Sequence, residues 1–307
     1  MRSRDFSSAF FGHSFAALLL LASAGSAQEW TRFRGPNGTG ESEATTIPAT
    51  WSDADYNWKI DLPGRGHSSP VLWGDKVFLL RADQKTATRY FLCIDANNGK
   101  KLWTREFPST THNLHVRSSY GSSTPCVDAE RVYIAWSDPE HTLLMAFDHA
   151  GNDVWTQDFG SFINQHGFGS SPMLYDDMVV LNCSQEPNKD PKNPQVPKQS
   201  FIAAVEKTTG KLRWRTERKI DTSSFSVPCV RKTPDGGEEL ICNTTGEGIF
   251  ALDPKTGTEK WSFNAFSMRT VSSPVLASGL VFGTTGSGGG GNYIVALKPG
   301  SNPELAY

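Results

Sequence analysis

One motif recurs along the chain and limits its fold more than any other feature. Each copy is an apolar run followed by a charged residue, a turn centred on glycine and an aromatic residue. Four copies read FLCIDANNGKKLW, LLMAFDHAGNDVW, FIAAVEKTTGKLRW and GIFALDPKTGTEKW, and a fifth, YIVALKPGSNPELAY, has Tyr307 at the tryptophan position. Repetition at intervals of about 50 residues is typical of propellers, solenoids and repeat arrays.

A hairpin with serine and proline at its start accompanies each copy of the motif. The five hairpins read SSPVLWGDKVFLL, SSTPCVDAERVYIAW, SSPMLYDDMVVLNC, FSVPCVRKTPDGGEELICN and SSPVLASGLVFGTT. Hairpin and motif together supply four short strands per repeat, and helical periodicity is nowhere sustained. The sequence therefore predicts an all-β chain, a β-propeller of four-stranded antiparallel blades, with about five to six blades present.

Five tryptophans are predicted to dock each blade on its neighbour, because an indole ring buries about 150 to 250 Å². They are Trp58, Trp103, Trp155, Trp214 and Trp261. The strand before each turn carries a small residue between larger ones, so its two faces are predicted to meet two unlike neighbours. The small residues are Cys93, Ala146, Ala204, Ala251 and Ala296. Acids in the turn, such as Asp95, are expected to bind the turn's backbone and to be structural.

The chain falls into three segments. Residues 1–27 have a positive start, an apolar run and a small-residue end, and they are predicted to be a secretory signal peptide, with a membrane anchor as the alternative. Residues 28–55 form a turn-rich lead-in, and residues 56–307 hold the propeller repeats, which we expect to be truncated at the C-terminus. We therefore expect an exported protein, periplasmic or extracellular. No later stretch is apolar enough to cross a membrane.

The charge and the cysteine content limit the kinds of partner and of site that the chain is expected to have. A formal net charge of −2, with acidic and basic residues interspersed, gives no electrostatic footprint for nucleic acid or an anionic membrane. The five cysteines match no metal-binding spacing. Cys229 and Cys242 flank one hairpin, so they are either bridged or two buried thiols.

Histidines and arginines collect in the segments that lead from an outer strand to the next inner strand. In a propeller these segments meet at one mouth of the central channel. The candidate ligand-binding residues there are His67, His115, Arg117, His166 and Arg269, with His112 and Arg65 in similar segments. Three interpretations stay open: hydrogen bonding to loop backbone, an anionic or polar ligand, and a metal ion. No HExxH or GxSxG signature occurs, so we name no catalytic residue and no metal ligand.

The paired stretches SSPVLWGDKVFLL with CIDANNGKKLW, and SSPVLASGLVFGTT with ALDPKTGTEKW, resemble the repeats of pyrroloquinoline-quinone-type (PQQ-like) β-propellers. That group includes quinoprotein alcohol dehydrogenases and outer-membrane assembly lipoproteins of the BamB type. The lead-in FRGPNGTG is similar to that of secreted propeller proteins of planctomycete bacteria. The resemblance implies a ring of eight blades, of which this chain would be a fragment.

The resemblance leads to two expected functions. One is an exported, non-catalytic scaffold of the BamB-like kind that binds a protein or polysaccharide partner through the propeller face. The alternative is an oxidoreductase that uses pyrroloquinoline quinone with Ca²⁺ on alcohols or sugars. The absence of a Cys-Cys pair, which quinoprotein dehydrogenases carry over the cofactor, favours the scaffold without a cofactor.

Overall fold

The computed structural model describes residues 29–162, 164, 166–186, 200–219, 223–287 and 290–307. The predicted signal peptide lies outside these residues. Five four-stranded antiparallel sheets follow one another along the described chain, which confirms the predicted all-β propeller of four-stranded blades. Apart from them it contains two 3₁₀ turns, at Pro36–Gly38 and Asp53–Asp55. No helix in this part of the chain is long and apolar enough to span a bilayer.

Each blade takes its four strands in chain order, the first innermost and the last outermost. Blade 1 contains β1 (Val71–Trp73), β2 (Lys76–Ala82), β3 (Arg89–Asp95) and β4 (Lys101–Phe107). Blade 2 contains β5 (Cys126–Val127), β6 (Arg131–Ser137), β7 (Thr142–Asp148) and β8 (Asp153–Asp158). Blade 3 contains β9 (Met173–Tyr175), β10 (Met178–Cys183), β11 (Ser200–Glu206) and β12 (Leu212–Arg218).

The remaining two blades repeat this pattern. Blade 4 contains β13 (Cys229–Lys232), β14 (Glu238–Thr244), β15 (Gly248–Leu252) and β16 (Glu259–Phe263). Blade 5 contains β17 (Val275–Ala277), β18 (Leu280–Ser287), β19 (Gly290–Lys298) and β20 (Glu304–Leu305). In the blade 5 sheet the backbone of Tyr307 exchanges hydrogen bonds with that of Ala296, at 2.9 and 3.2 Å. Tyr307 therefore stands at the position that tryptophan holds in the other blades.

The hydrophobic core lies between consecutive blades. Phe78 and Phe91 of blade 1 pack with Val132 and Phe147 of blade 2, and the opposite face of blade 2 packs on blade 3. The same arrangement joins blade 3 to blade 4 and blade 4 to blade 5. Alternation along each strand thus sends neighbouring side chains into two separate clusters, as the sequence predicts.

The small residue of each repeat lies directly across from the tryptophan of the same blade. Cys93 pairs with Trp103 in the register of β3 and β4, and Ala251 pairs with Trp261 in that of β15 and β16. The register shifts immediately after the small residue in both blades. Because the cross-strand partner is small, the bulky indole can lie flat along the blade.

Four of the five tryptophans, all but Trp261, donate a hydrogen bond to the turn of the next blade. The indole nitrogen of Trp103 donates to the backbone oxygen of His149 at 3.1 Å, and the indole nitrogen of Trp214 donates to that of Pro254 at 3.0 Å. Trp58 makes the same contact with Ala96 of blade 1 at 2.7 Å. The segment around Trp58 forms no strand of its own; it covers the face of blade 1 that points away from blade 2.

The lead-in crosses the inner strands of four blades. The backbone oxygens of Trp30 and Thr31 accept hydrogen bonds from Leu72 and Val127, both at 2.9 Å. Further along, the side chain of Asn37 donates to the backbone oxygen of Val230 at 2.8 Å and accepts from its amide at 2.7 Å. The lead-in therefore ties blades that are far apart in sequence.

The suggested bridge between Cys229 and Cys242 is wrong. All five cysteines are free and buried. Cys229 is paired with Ile241 in the sheet, so Cys242 is one residue out of register and points to the opposite face. Cys229 packs between blades 4 and 5, whereas Cys242 packs between blades 3 and 4. A disulfide cannot join side chains on opposite faces of a sheet.

Candidate functional site

The five side chains singled out in the sequence surround one cavity. His67, His115, Arg117, His166 and Arg269 all line a space of about 550 Å³, which we call the histidine cavity. They precede the inner strands of blades 1, 2, 3 and 5, so the cavity lies at the end of the blades where those strands begin. The structure thus brings the five together, while their role in ligand binding stays a prediction.

Backbone hydrogen bonds between neighbouring loops place His67 at the cavity. The amides of His67 and Ser68 both donate to the backbone oxygen of Gly121, at 3.0 and 3.2 Å. The imidazole Nδ1 of His67 lies 3.4 Å from the hydroxyl of Ser122. Because two loops are joined here by main-chain bonds, the histidine is held where blades 1 and 2 meet.

The closest side-chain contact of the cavity joins two loops that are far apart in sequence. Arg269 Nη1 lies 2.5 Å from His166 Nε2, and Arg269 Nη2 lies 3.7 Å from a carboxylate oxygen of Glu186. A guanidinium nitrogen only donates hydrogen bonds, so His166 Nε2 is the acceptor and its ring is neutral. The ring of His115 stands beside that of His166, with centroids 4.9 Å apart.

The electrostatics of the cavity agree with a neutral His166. Burial lowers the pKa of His166 below its ordinary value, and the nearby charges of Arg269 and His115 lower it further, while Glu186 acts in the opposite direction. Arg117 and Arg269 each bring a guanidinium group to the cavity. The histidine cavity is therefore positive, with the carboxylate of Glu186 beside Arg269 as the opposing charge.

Apolar walls complete the cavity, and sequence reasoning missed them. Phe168, Phe225 and Val271 line it together with Gly169. A Cβ added to Gly169 would stand 3.0 Å from the ring of Phe225, so these two loops approach each other closely. A signal was available, because each of these residues lies a few positions before a hairpin proline. The cavity can therefore hold a ligand that carries both an anionic group and an apolar part.

Two other residues noted in the sequence lie outside the cavity. The backbone amide of His112 donates to the hydroxyl of Tyr120 at 3.0 Å, and that hydroxyl donates back to the His112 backbone oxygen at 2.6 Å. Burial lowers the pKa of His112 as well. Arg65 is paired through its backbone with Ala82. Both residues serve the conformation of their own loops.

The family model described as outer membrane protein assembly factor BamB matches the chain over residues 49–138 and 92–302. Among solved structures, BamB from Moraxella catarrhalis superposes with a TM-score of 0.54 at 18% identity, covering 82% of this chain and 66% of that one. Quinohemoprotein alcohol dehydrogenase ADHIIG from Pseudomonas putida HK5 superposes with a TM-score of 0.55 at 13% identity, covering 88% of this chain and 44% of that one. At these identities the likeness concerns the fold alone.

One curated relative is tetrathionate hydrolase from Acidithiobacillus ferrooxidans, 25% identical over 236 residues. The match takes in 73% of this chain and 42% of the relative. The chain thus spans less than half the length of this relative, and about two thirds and less than half of the two solved chains.

The residues of the histidine cavity meet only part of what pyrroloquinoline quinone with Ca²⁺ would need. Arg117 and Arg269 could face the carboxylates of the quinone. Calcium, however, takes six to eight oxygen ligands, with carboxylates prominent among them. In the described ranges no group of three or more His, Cys, Asp or Glu side chains is arranged to hold a metal ion. The described residues therefore do not fit this cofactor, and we derive no reaction step through it.

Proposed function

The chain belongs to the family described as outer membrane protein assembly factor BamB, and from that premise we propose that it is an exported, non-catalytic scaffold that binds a protein partner. The observation that carries this proposal is the convergence of two arginines and three histidines, from four separate loops, on one open cavity. The group that such a cavity would take from a partner is a carboxylate on a segment that also carries apolar side chains.

The composition of the cavity supports this choice of partner chemistry. A guanidinium pairs with a carboxylate through two parallel hydrogen bonds, which gives direction as well as affinity. Arg117 is exposed at the rim, whereas Arg269 is partly buried beside His166. The rings of Phe168 and Phe225 would pack on apolar side chains of the same segment. Among polysaccharides, only an acidic one would form ion pairs with this positive charge.

Site-specific photo-crosslinking in cells tests the proposal. A photoreactive phenylalanine analogue in place of Val271, at the cavity rim, is expected to crosslink one partner protein, whereas the same analogue in place of Leu212, on the outer strand of blade 3, is not. Both positions are exposed. The change Arg117→Glu should abolish the Val271 crosslink. The matched change Lys101→Glu, on an outer strand, should leave it intact.

Loss of the crosslink in both charge variants, or equal crosslinking from Val271 and Leu212, would contradict the proposal. Purified Arg117→Glu should keep the melting temperature of the parent protein, because Arg117 is exposed and its side chain lies at the rim. A variant that melts at the same temperature but binds no partner separates a lost contact from a lost fold.

An enzymatic role is the alternative, and the fold of the quinohemoprotein alcohol dehydrogenase is the observation that favours it. Incubation with pyrroloquinoline quinone and Ca²⁺, followed by assay of dye reduction with alcohols and sugars, tests the quinone-dependent form. Tetrathionate, the compound in the name of the curated relative, is tested separately by following its disappearance, because its hydrolysis reduces no dye. We expect no turnover; dye reduction that depends on added quinone would make the scaffold proposal wrong.

A further inference from the structure

The second large cavity of the described chain lies at the opposite end of the inner strands. It has a volume of about 610 Å³, and the lead-in forms one wall of it through Thr31, Arg32 and Asn37. The other walls come from β9 with the turn after it, from β13, from the start of β14 and from the turn between β15 and β16. In blades 3 and 4 the histidine cavity touches residues just before the inner strand, whereas this cavity touches the inner strand itself. The two cavities are therefore separate sites.

Arg32 lines this cavity as a buried guanidinium group with few hydrogen-bond partners. Its side chain is only 6% exposed. Nη2 donates to the backbone oxygen of Pro228 at 2.7 Å, and Nη1 points at the thioether sulfur of Met173 at 3.5 Å, which is a weak acceptor. Nε has no hydrogen-bond partner among the described residues. A buried guanidinium is thus left with one good hydrogen bond.

The charge of Arg32 is not balanced by any carboxylate of the described residues. The other deeply buried arginine that meets acids, Arg218, forms ion pairs with Glu247 and Glu259, both at 2.7 Å. Arg32 has no such pair, and burial lowers its pKa to about 10. Burying a cation without a counter-ion raises the free energy of the folded state, because no ion pair offsets the loss of hydration. An anion in the adjoining cavity would offset that loss.

The remaining charges of the cavity limit what that anion can be. Lys232 and Lys255 line it along with Arg32, and so do Asp176 and Glu238. The carboxylate of Glu238 accepts the hydroxyl of Tyr175 at 2.6 Å. Three cationic and two anionic side chains leave a net charge of +1, which balances a single negative charge and disfavours a second.

We propose that this cavity, which we call the Arg32 cavity, binds one carboxylate group, with Arg32 as its charge partner and Lys255 at its rim. The ligand class is a monocarboxylate: either a small organic acid or the carboxylate at the end of a peptide. The planar guanidinium suits this group better than it suits a spherical anion such as chloride, because its N–H groups are directional donors and a carboxylate oxygen is a directional acceptor.

Nuclear magnetic resonance of the full chain tests the proposal, with the Arg32 Nε–H signal as the probe. Acetate, succinate, N-acetyl-alanyl-alanine and its C-terminal amide are titrated at constant ionic strength held with chloride. Acetate and the free dipeptide are expected to shift the signal with a Kd of about 1 to 10 mM, while the amide leaves it unchanged. Succinate should bind no more tightly than acetate, because its second charge meets Asp176 and Glu238. Whichever of acetate and the dipeptide binds more tightly identifies the source of the carboxylate.

Substitutions make the test specific to this cavity. Arg32→Lys lacks the Arg32 Nε–H signal, so its binding is followed through the backbone amides of Asp176 and Lys232, which line the same cavity. It should bind about tenfold more weakly, because the directional guanidinium is lost, and Lys255→Ala about threefold more weakly. The matched control Lys219→Ala removes an exposed lysine elsewhere, and Arg269→Ala changes only the histidine cavity, so both should bind acetate as the parent does. If Arg32→Lys fails to fold, the Lys255→Ala variant and the Arg32 signal of the parent protein still test the proposal.

An Arg32 signal that does not respond to about 50 mM acetate or dipeptide would overturn the proposal, since Kd values of that size are negligible binding. So would an equal loss of binding in Lys255→Ala and Lys219→Ala. Because Arg269→Ala serves as a control here and Arg117→Glu tests the histidine cavity, either proposal can fail while the other stands.

Discussion

The ring of Trp103 lies against Gly151 of the next blade, where a Cβ on the glycine would come within 3.0 Å of the indole Cδ2 atom. The same indole donates its N–H to the backbone oxygen of His149 in the same turn. Stacking and hydrogen bond together lock the outer strand of blade 1 to the turn of blade 2. The geometry recurs where Trp155 meets Gly210, which makes the contact the repeating joint of the propeller.

Replacement of Gly151 by alanine should therefore destabilise the protein more than its backbone conformation alone would require. Gly151 and Gly160 have nearly the same φ, 86° and 87°, but nothing lies within 4 Å of a Cβ added at Gly160. Gly160→Ala should cost about 1 kcal/mol for the left-handed backbone, and Gly151→Ala about 1 to 3 kcal/mol more for the clash with Trp103. Urea denaturation of both variants measures the difference. Equal losses would mean that the indole moves aside freely.

The indole hydrogen bond can be isolated by comparing two tryptophans of similar burial. Trp214 is 7% exposed and donates to Pro254, whereas Trp261 is 5% exposed and its Nε1 has no partner among the described residues. Both changes to phenylalanine remove similar volume, so Trp214→Phe should lower the free energy of unfolding by about 1 kcal/mol more than Trp261→Phe does. Thermal or urea melts provide the measurement. A larger loss at Trp261 would show that packing outweighs the hydrogen bond.

Two histidines should give opposite responses to acid. The pKa of His166 is lowered, chiefly by burial, so the unfolded chain binds its proton more readily, and stability is lost as the pH falls below the ordinary histidine value. The pKa of His141 is raised, chiefly by its hydrogen bond with Asp158 at 2.6 Å, so its contribution is present below that value and is lost as the pH rises through the raised pKa.

Urea denaturation at pH 7.5 and pH 5 checks this pair. His166→Gln should lose less stability on acidification than the parent protein, because the proton-linked loss is removed. His141→Gln should lose more stability on acidification than the parent protein, because the favourable protonated state is removed. Identical pH responses of the two variants would contradict the assignment of a neutral His166 beside Arg269.

The hydrogen bonds that hold the lead-in on blade 4 should be detectable by amide hydrogen exchange. The Asn37 side chain makes two hydrogen bonds with the backbone of Val230, across 193 residues of sequence. Asn37→Ala should raise the exchange rate of the Val230 amide by about fivefold, since the loss of one hydrogen bond is worth roughly 1 kcal/mol. Asn98→Ala, which removes a side chain bound to Asp95 and to the Lys100 amide within its own turn, is the control and should leave Val230 unchanged.

The five thiols should be inert in the native protein. All are buried, and burial raises the pKa of Cys93 and of Cys229 to about 12. Since the thiolate is the reactive form, a thiol reagent such as DTNB should label none of them at neutral pH and all five in guanidinium chloride. Labelling of three in the denatured, unreduced protein would indicate a bridge such as Cys229 to Cys242 and contradict the free thiols of the structure.

Local features of the chain were readable from the sequence because they depend on neighbours within one hairpin. The glycine of each turn has positive φ, as at Gly99 with 74°, and Asp95 accepts the amide of Asn97 at 2.8 Å, as the turn chemistry predicts. The burial of Cys93 followed from strand alternation. The sequence also placed five histidines and arginines in equivalent loops, because the repeat assigns every loop to one end of its blade.

Contacts between distant parts of the chain could not be predicted from neighbours within one hairpin. The two faces of β14 send Ile241 and Cys242 to different blade interfaces, so the disulfide that the hairpin spacing alone allowed does not form. Nothing in the composition of the lead-in predicts that Arg32 reaches Pro228, or that Asn37 reaches Val230. These pairings depend on the summed twist and tilt of several blades, which no single repeat encodes.

By itself, then, the sequence determined the strands, the turns, the order of the blades and the loops in which the candidate site residues lie. It could do so because alternation, turn chemistry and a fifty-residue period act locally and repeat. The tertiary structure alone decided which tryptophan meets which turn, how the apolar walls close around the histidines, and that an arginine of the lead-in is buried at the other end without a counter-charge. Those outcomes depend on packing between blades, where the position of each side chain is set by residues far away in the chain.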